Sequence, residues 1–215
     1  MGTLEQLGIK DFKQLVPVEL IECCEKVPKD FRMVYKNLFD SKSIFTATIL
    51  FSQLHNKLNI YSIRKYDASV RWVDNNPPER LQSFQLIDKR IFFSFKEAYN
   101  LLQGRYVLKR HVTRTGREYP AWTQLDFEYI DSKGNYCWVE YPKRGFNVRV
   151  ALRTALWAEF GRRRLDLTRL DNLVKSLEQG NLEVIPVQYG TRTKFFSIEA
   201  NPKDRRIKLT DCSIS

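Results

Sequence analysis

Residues that carry metal or covalent chemistry are scarce in this chain. Of 215 residues two are histidine, His55 and His111, and neither has a cysteine or carboxylate at ligand spacing, which argues against a zinc centre or another metal site. The four cysteines, Cys23, Cys24, Cys137 and Cys212, form no CxxC pair. Adjacent Cys23 and Cys24 leave a helix at different angles and do not suit a structural disulfide, so all four read as buried thiols of a reducing compartment. No glycine-rich phosphate loop, Ser/His/Asp set or Cys/His pairing is present, so neither a bound cofactor nor nucleophilic catalysis is expected. Apolar runs are short: 44–50 is interrupted by threonines and fits a buried strand rather than a membrane span. The first residues lack a basic segment leading into an apolar one, so no secretory signal is expected. The expected location is the cytoplasm.

What is present is a core-forming, basic chain. Hydrophobic residues make up 43% and aromatics 13%, enough to build a packed interior. The formal net charge is +11, and 14 Lys/Arg against 7 Asp/Glu lie between Arg105 and Arg169, so +7 of the +11 falls there. A concentration of this kind suits nucleic acid or another polyanion; a solubilising surface is the plainer reading.

Internal repetition organises the rest. Ser94-Phe95-Lys96-Glu97 has the Ser-x-x-Glu form of a capping box, Phe95, Ala98, Leu101 and Leu102 follow at helical spacing, and Gly104 closes the helix. Strand-like runs follow at 106–112, 119–130 and 136–141, joined by the glycine-containing loops 113–117 and 131–135. The order recurs after a helical stripe of Leu167, Leu170, Leu173, Val174 and Leu177 ending at Gly180, with strands at 182–189, 194–199 and 205–210. The helix end Leu101–Gly104 stands 76 residues before Leu177–Gly180. A weaker copy opens the chain: a helix at 18–26, then strands at 32–39, 44–53 and 58–65. In the second strand Phe45, Ala47 and Ile49 alternate with Ile44, Thr46 and Thr48, so each meander has one apolar face for a helix to cover. The expected fold is α+β, built from repeated units of one helix plus a three-stranded antiparallel β-meander. The divisions fall at 1–66, 93–145 and 167–215. Residues 67–92, with Asn76-Pro77-Pro78, read as an ordered loop or linker, and 146–166 as a basic connecting helix with Arg149 and Arg153 opposite its apolar stripe.

The run Thr115-Gly116-Arg117-Glu118-Tyr119-Pro120-Ala121-Trp122 continuing to Phe127, with 176–181, Ile198-Glu199-Ala200-Asn201-Pro202 and 207–211, resembles a domain of unknown function. That domain occurs in large proteins of conjugative elements of gut anaerobes, often in association with a topoisomerase. The resemblance spans roughly 95–211, and 198–202 is its most specific piece; the first 90 residues match in pattern only. It implies a cytoplasmic mobile-element protein in a setting of DNA metabolism, and no catalytic residues. Lys203-Asp204 departs from the uncharged pair expected after Pro202, and Arg162-Arg163-Arg164 lies outside the family pattern.

Three functions are compatible with these residues. Lys109, Arg110, Arg114 and Arg117 on one hairpin, Lys143 and Arg144 after the next strand, and Arg149, Arg153 and Arg162–Arg164 beyond them would form a phosphate-binding track if they shared a face. Trp122, Tyr136 and Trp138, interleaved with the track, could stack on unpaired bases or serve as core residues. Arg162–Arg164 could equally complement a helix dipole. No helix-turn-helix, zinc-finger or RNP signature supports sequence-specific reading. The second function is docking on an acidic partner protein through edge strands and the basic surface. The third is a metal-dependent nuclease using Asp126, Glu128, Asp131 and Glu140, although no lysine follows at the usual short spacing. Nucleic-acid binding without catalysis, and without a membrane, is the expectation carried forward.

Overall fold

The computed structural model describes residues 3–17, 29–54, 61–86, 91–161, 170–189 and 191–212. The opening helix read at 18–26, Cys23, Cys24, the turn at His55, Leu167 and Arg162–Arg164 lie outside the described residues. Four α-helices and eleven strands in three antiparallel sheets make a mixed α+β chain among those described. Two units are distinguished, Met1–Gln103 with Phe127–Cys137 and Gly104–Asp126 with Trp138–Ser215.

In the first unit, after the short helix α1 (Thr3–Leu7), five strands follow in chain order. They are β1 (Leu15–Pro17), β2 (Asp30–Asn37), β3 (Ser43–Gln53), β4 (Tyr61–Trp72) and β5 (Arg80–Gln85). The expected alternation in β3 is observed: Phe45, Ala47 and Ile49 are buried and pair across to Val70, Ala68 and Tyr66 of β4. The reading of 67–92 as an ordered loop or linker is corrected at 67–72 and 80–85. Residues 67–72 continue β4 and 80–85 add a fifth strand, with Phe84 stacked on Tyr66 at 5.0 Å. Only Leu81 and Phe84 are apolar in β5, and Gln82 takes a buried position, so its periodicity is weak in the sequence.

Helix α2 (Phe95–Leu102) covers this sheet, not the meander that follows it in the chain. Phe95 meets Tyr35, Tyr66 and Phe45 at 4.9, 5.1 and 5.8 Å between ring centres. The physical reason is area: five strands present a wider apolar face, and each large side chain fully buried there contributes about 1.5–3 kcal/mol. The Tyr66 hydroxyl, also buried, donates to the Phe93 carbonyl at 2.8 Å. The capping box forms as the sequence implies, Ser94 Oγ accepting from Glu97 N–H at 3.4 Å and Glu97 Oε2 from Ser94 N–H at 2.8 Å. Gly104, just beyond the helix, takes φ +84°, a conformation that suits glycine. Replacing Ser94 by alanine is expected to cost about 1 kcal/mol in urea unfolding; no change in the midpoint would mean that the cap does not support the helix in solution.

The tip of the next hairpin, Phe127–Cys137, also belongs to this unit. Ser83 N–H donates to Asn135 Oδ1, and Tyr136 N–H to Gln82 Oε1, each at 2.9 Å. Arg80 lies 3.7 Å over the Phe127 ring and donates to the Leu102 carbonyl at 2.8 Å.

The second unit holds most of β6 (Val107–Val112), β7 (Glu118–Ile130) and β8 (Tyr136–Pro142). Helices α3 (Val148–Phe160) and α4 (Leu170–Glu178) follow, then β9 (Glu183–Tyr189), β10 (Arg192–Asn201) and β11 (Arg206–Asp211). One apolar cluster joins them: Trp122 from β7, Leu152 and Leu156 from α3, Leu177 from α4 and Ile198 from β10. Asn147 caps α3, its Oδ1 accepting from Val150 N–H at 3.2 Å, so within the connecting helix read at 146–166 the described helix runs from Val148 to Phe160. The turn at 201–204 is held by Asn201 Oδ1 accepting from Asp204 N–H at 3.0 Å. Cys137 and Cys212 stand exposed as free thiols, which corrects the expectation that they are buried.

Candidate nucleic-acid interface

Three adjoining clefts in the second unit bring seven of its cations together. A short 3-10 turn, Lys143–Gly145, sits at their centre. Its sequence dictates its form: Phe146 closes the turn by donating its N–H to the Lys143 carbonyl at 3.0 Å, and its ring is buried against Trp122 at 5.6 Å. Anchoring one aromatic inward leaves Lys143 and Arg144 outside. Arg117 is placed by the β6–β7 loop, where Gly116 takes φ +82° and Arg117 N–H donates to Thr113 Oγ1 at 3.0 Å.

The first cleft, about 620 Å³, is lined by Arg117, Tyr119, Glu140, Lys143 and Arg144 among others. The second, about 630 Å³, shares Pro120, Lys143 and Arg144 with it and adds Arg149 and Lys175. The third, about 390 Å³, shares Phe146 and Asn147 with the second and adds Arg205 and Arg206. Acidic groups temper the charge. Lys143 lies 3.7 Å from Glu178, Arg149 2.5 Å from Asp171 and Arg206 3.3 Å from Asp204. Arg117, Arg144, Lys175 and Arg205 have no carboxylate within ion-pair distance among the described residues, so the path retains positive charge.

No family model matches this chain, and no curated protein or solved structure matches it significantly.

Of the residues read from the sequence, Arg117, Lys143, Arg144 and Arg149 come together in these clefts. The others go elsewhere. Successive strand residues point to opposite faces, so Lys109 and Arg110 diverge; Arg110 pairs with Glu118 at 3.3 Å. Arg114 is exposed on its loop, and Arg153 lies 4.4 Å over the Trp157 ring. Trp122 requires a correction. It is 0% exposed and sits in the apolar cluster, so it is not available to stack on a base. Tyr136 is half-buried, its ring packed edge-on against Phe127 at 4.9 Å, while Trp138 is 40% exposed on β8. Lys175, Arg205 and Arg206 gave no signal in the sequence: one is an isolated lysine on a helix, and the other two stand at the last turn residue and the first strand residue of the β10–β11 hairpin.

The carboxylates offered for a nuclease have local duties. Asp131 organises its loop by accepting from Lys133 and Asn135 N–H at 2.8 and 2.9 Å, and those bonds hold its carboxyl below the usual range. Glu140 serves His111 and Tyr119. No group of three or more His, Cys, Asp or Glu side chains converges among the described residues.

Tertiary structure builds one constellation that spacing did not suggest. His111, 2% exposed, has Nε2 2.7 Å from Thr123 Oγ1 and Nδ1 3.2 Å from Glu140 Oε1, and its ring stacks on Tyr119 at 5.4 Å. The Tyr119 hydroxyl donates to Glu140 Oε2 at 2.9 Å. The Nδ1–Glu140 approach lacks hydrogen-bond geometry, so it becomes an ion pair only when the imidazole is protonated. Thr123 is 0% exposed, which keeps its hydroxyl from any substrate. Burial holds the His111 imidazole below its ordinary value of 6.5, and the Glu140 charge offsets this in part.

A depressed folded-state value means that the unfolded chain binds the proton first. Stability from this group is full above about pH 6.5 and is lost as pH falls toward the folded value. Urea midpoints at about pH 7.5 and about pH 5.5 should therefore separate more in the wild type than in His111→Asn. A wild type that gains relative stability at the lower pH would show that the Glu140 charge outweighs burial.

Proposed function

We propose that this chain binds nucleic acid, mainly through backbone phosphates and with little sequence preference, as a non-enzymatic cytoplasmic protein of a mobile element. One observation carries the reading: three clefts run into one another through shared lining residues, and four of their seven cations lack a carboxylate partner among the described residues. Cations left without such a partner in each of three joined clefts are what a polyanion exchanges its counterions for. The net charge of +11 supports the same reading by drawing polyanions toward the surface. The resemblance of 95–211 to a domain of conjugative elements supplies the setting. The order of one helix and then three strands, at 95–142 and again at 170–211, supports a repeated origin for the two stretches.

The test is fluorescence anisotropy with labelled oligonucleotides across a salt series. Binding whose logarithm falls steeply and linearly with log salt is expected. Absence of binding at low salt would end the reading, and capture of an acidic protein at this surface would then replace it.

A further inference from the structure

We infer that the partner is an unpaired strand and that Tyr119 is the residue on which one of its bases stacks; the inference rests on the nucleic-acid reading above. Shape is the first ground. The free cations are set in successive concavities of about 620, 630 and 390 Å³ rather than on an open face. Cavities of this size, about 300–1,000 Å³, enclose groups the size of a small ligand. A duplex, stiff over about 150 base pairs, cannot bend into three adjoining recesses within one small unit. An unpaired strand has free backbone torsions at every nucleotide and can.

The second ground is the lining. Between the cations lie Pro120, Phe146, Val148 and Val174 in the second cleft and Ala151 and Ile207 in the third. Apolar surface beneath charged rims suits sugars and base faces, which a duplex keeps inside its stack. Tyr119 is the third ground. It lines the first cleft beside Arg117 and Arg144, and it is half-buried, so part of its surface is open. Its ring is held twice, by the hydroxyl bond to Glu140 at 2.9 Å and by the His111 stack at 5.4 Å. An aromatic held in place at a cationic cleft is a stacking platform that loses little side-chain freedom when a base arrives.

Anisotropy with single strands and with a duplex of the same sequence at one salt concentration tests the first half. The single strand should bind about tenfold or more tighter. Duplex binding that equals or exceeds it, with a steep salt slope, would overturn this inference while leaving the proposed function standing. Loss of binding to both would remove the two together. Tyr119→Ala and Tyr119→Phe test the second half. Alanine should weaken single-strand binding about tenfold with the salt slope unchanged, because a base contact is lost and no phosphate contact is. Phenylalanine keeps the ring and should retain most of the affinity. Should the alanine protein fail to fold, Tyr119→Leu, which keeps apolar bulk without an aromatic face, gives the same decision. Equal affinity in the alanine and wild-type proteins would rule out the platform.

Discussion

Alanine in place of Trp122 is expected to destabilise the protein by about 3–5 kcal/mol, the cost of emptying a large aromatic site in a packed core. Trp122 is 0% exposed and touches the Phe146 ring, with Leu152, Leu156 and Leu177 in the same cluster. Total stabilities of about 5–15 kcal/mol are usual, so the loss should be plain as a lower urea midpoint with the slope preserved. Trp122→Phe should cost less. It removes less volume and also the buried Nε1–H, which has no hydrogen-bond partner among the described residues. The pair separates the two roles offered for this tryptophan. A stacking residue would lose nucleic-acid affinity as alanine with its stability intact. A core residue should lose stability and, as phenylalanine, bind as before.

The double reversal Arg117→Glu with Arg144→Glu should reduce nucleic-acid affinity by about a hundredfold near 0.1 M salt and lower the log–log salt slope by about 2. Both arginines lack a carboxylate partner among the described residues, so their full charge is available to phosphate. Arg110→Glu and Arg153→Glu make the comparison. Arg110 is engaged by Glu118, and Arg153 lies over Trp157, so each should change affinity by much less. Asp171→Asn should act in the opposite direction, since it releases Arg149 at the second cleft. Equal losses at all four arginines would mean that overall charge, rather than this path, governs binding.

Much of the local structure was legible. The Ser94 cap, the loops at 113–117 and 131–135, the strand positions from Val107 onward and the alternation of Phe45, Ala47 and Ile49 all follow from short-range rules: a side chain that can bond the next turn, a residue that tolerates positive φ, a period of two. The fifth strand was not, because Arg80–Gln85 buries a glutamine where the period calls for an apolar residue. Three of the seven cleft cations were missed for a different reason. Lys175 and Arg205 reach the clefts only because α4 and the β10–β11 hairpin share the Trp122 core, and no spacing along the chain encodes that.

By itself, then, the sequence determined an α+β chain, the capped start of α2, the register-bearing faces of its strands and a strong excess of positive charge. These depend on neighbours a few residues apart. Tertiary structure decided which sheet α2 covers, that Trp122 faces inward while Tyr119 lines a cleft, that Lys109 and Arg110 diverge, and that His111 meets Glu140. Each is settled by competition for burial among surfaces far apart in the chain: the widest apolar face takes the helix, the largest aromatic takes the core, and the charges are left where the packing puts them.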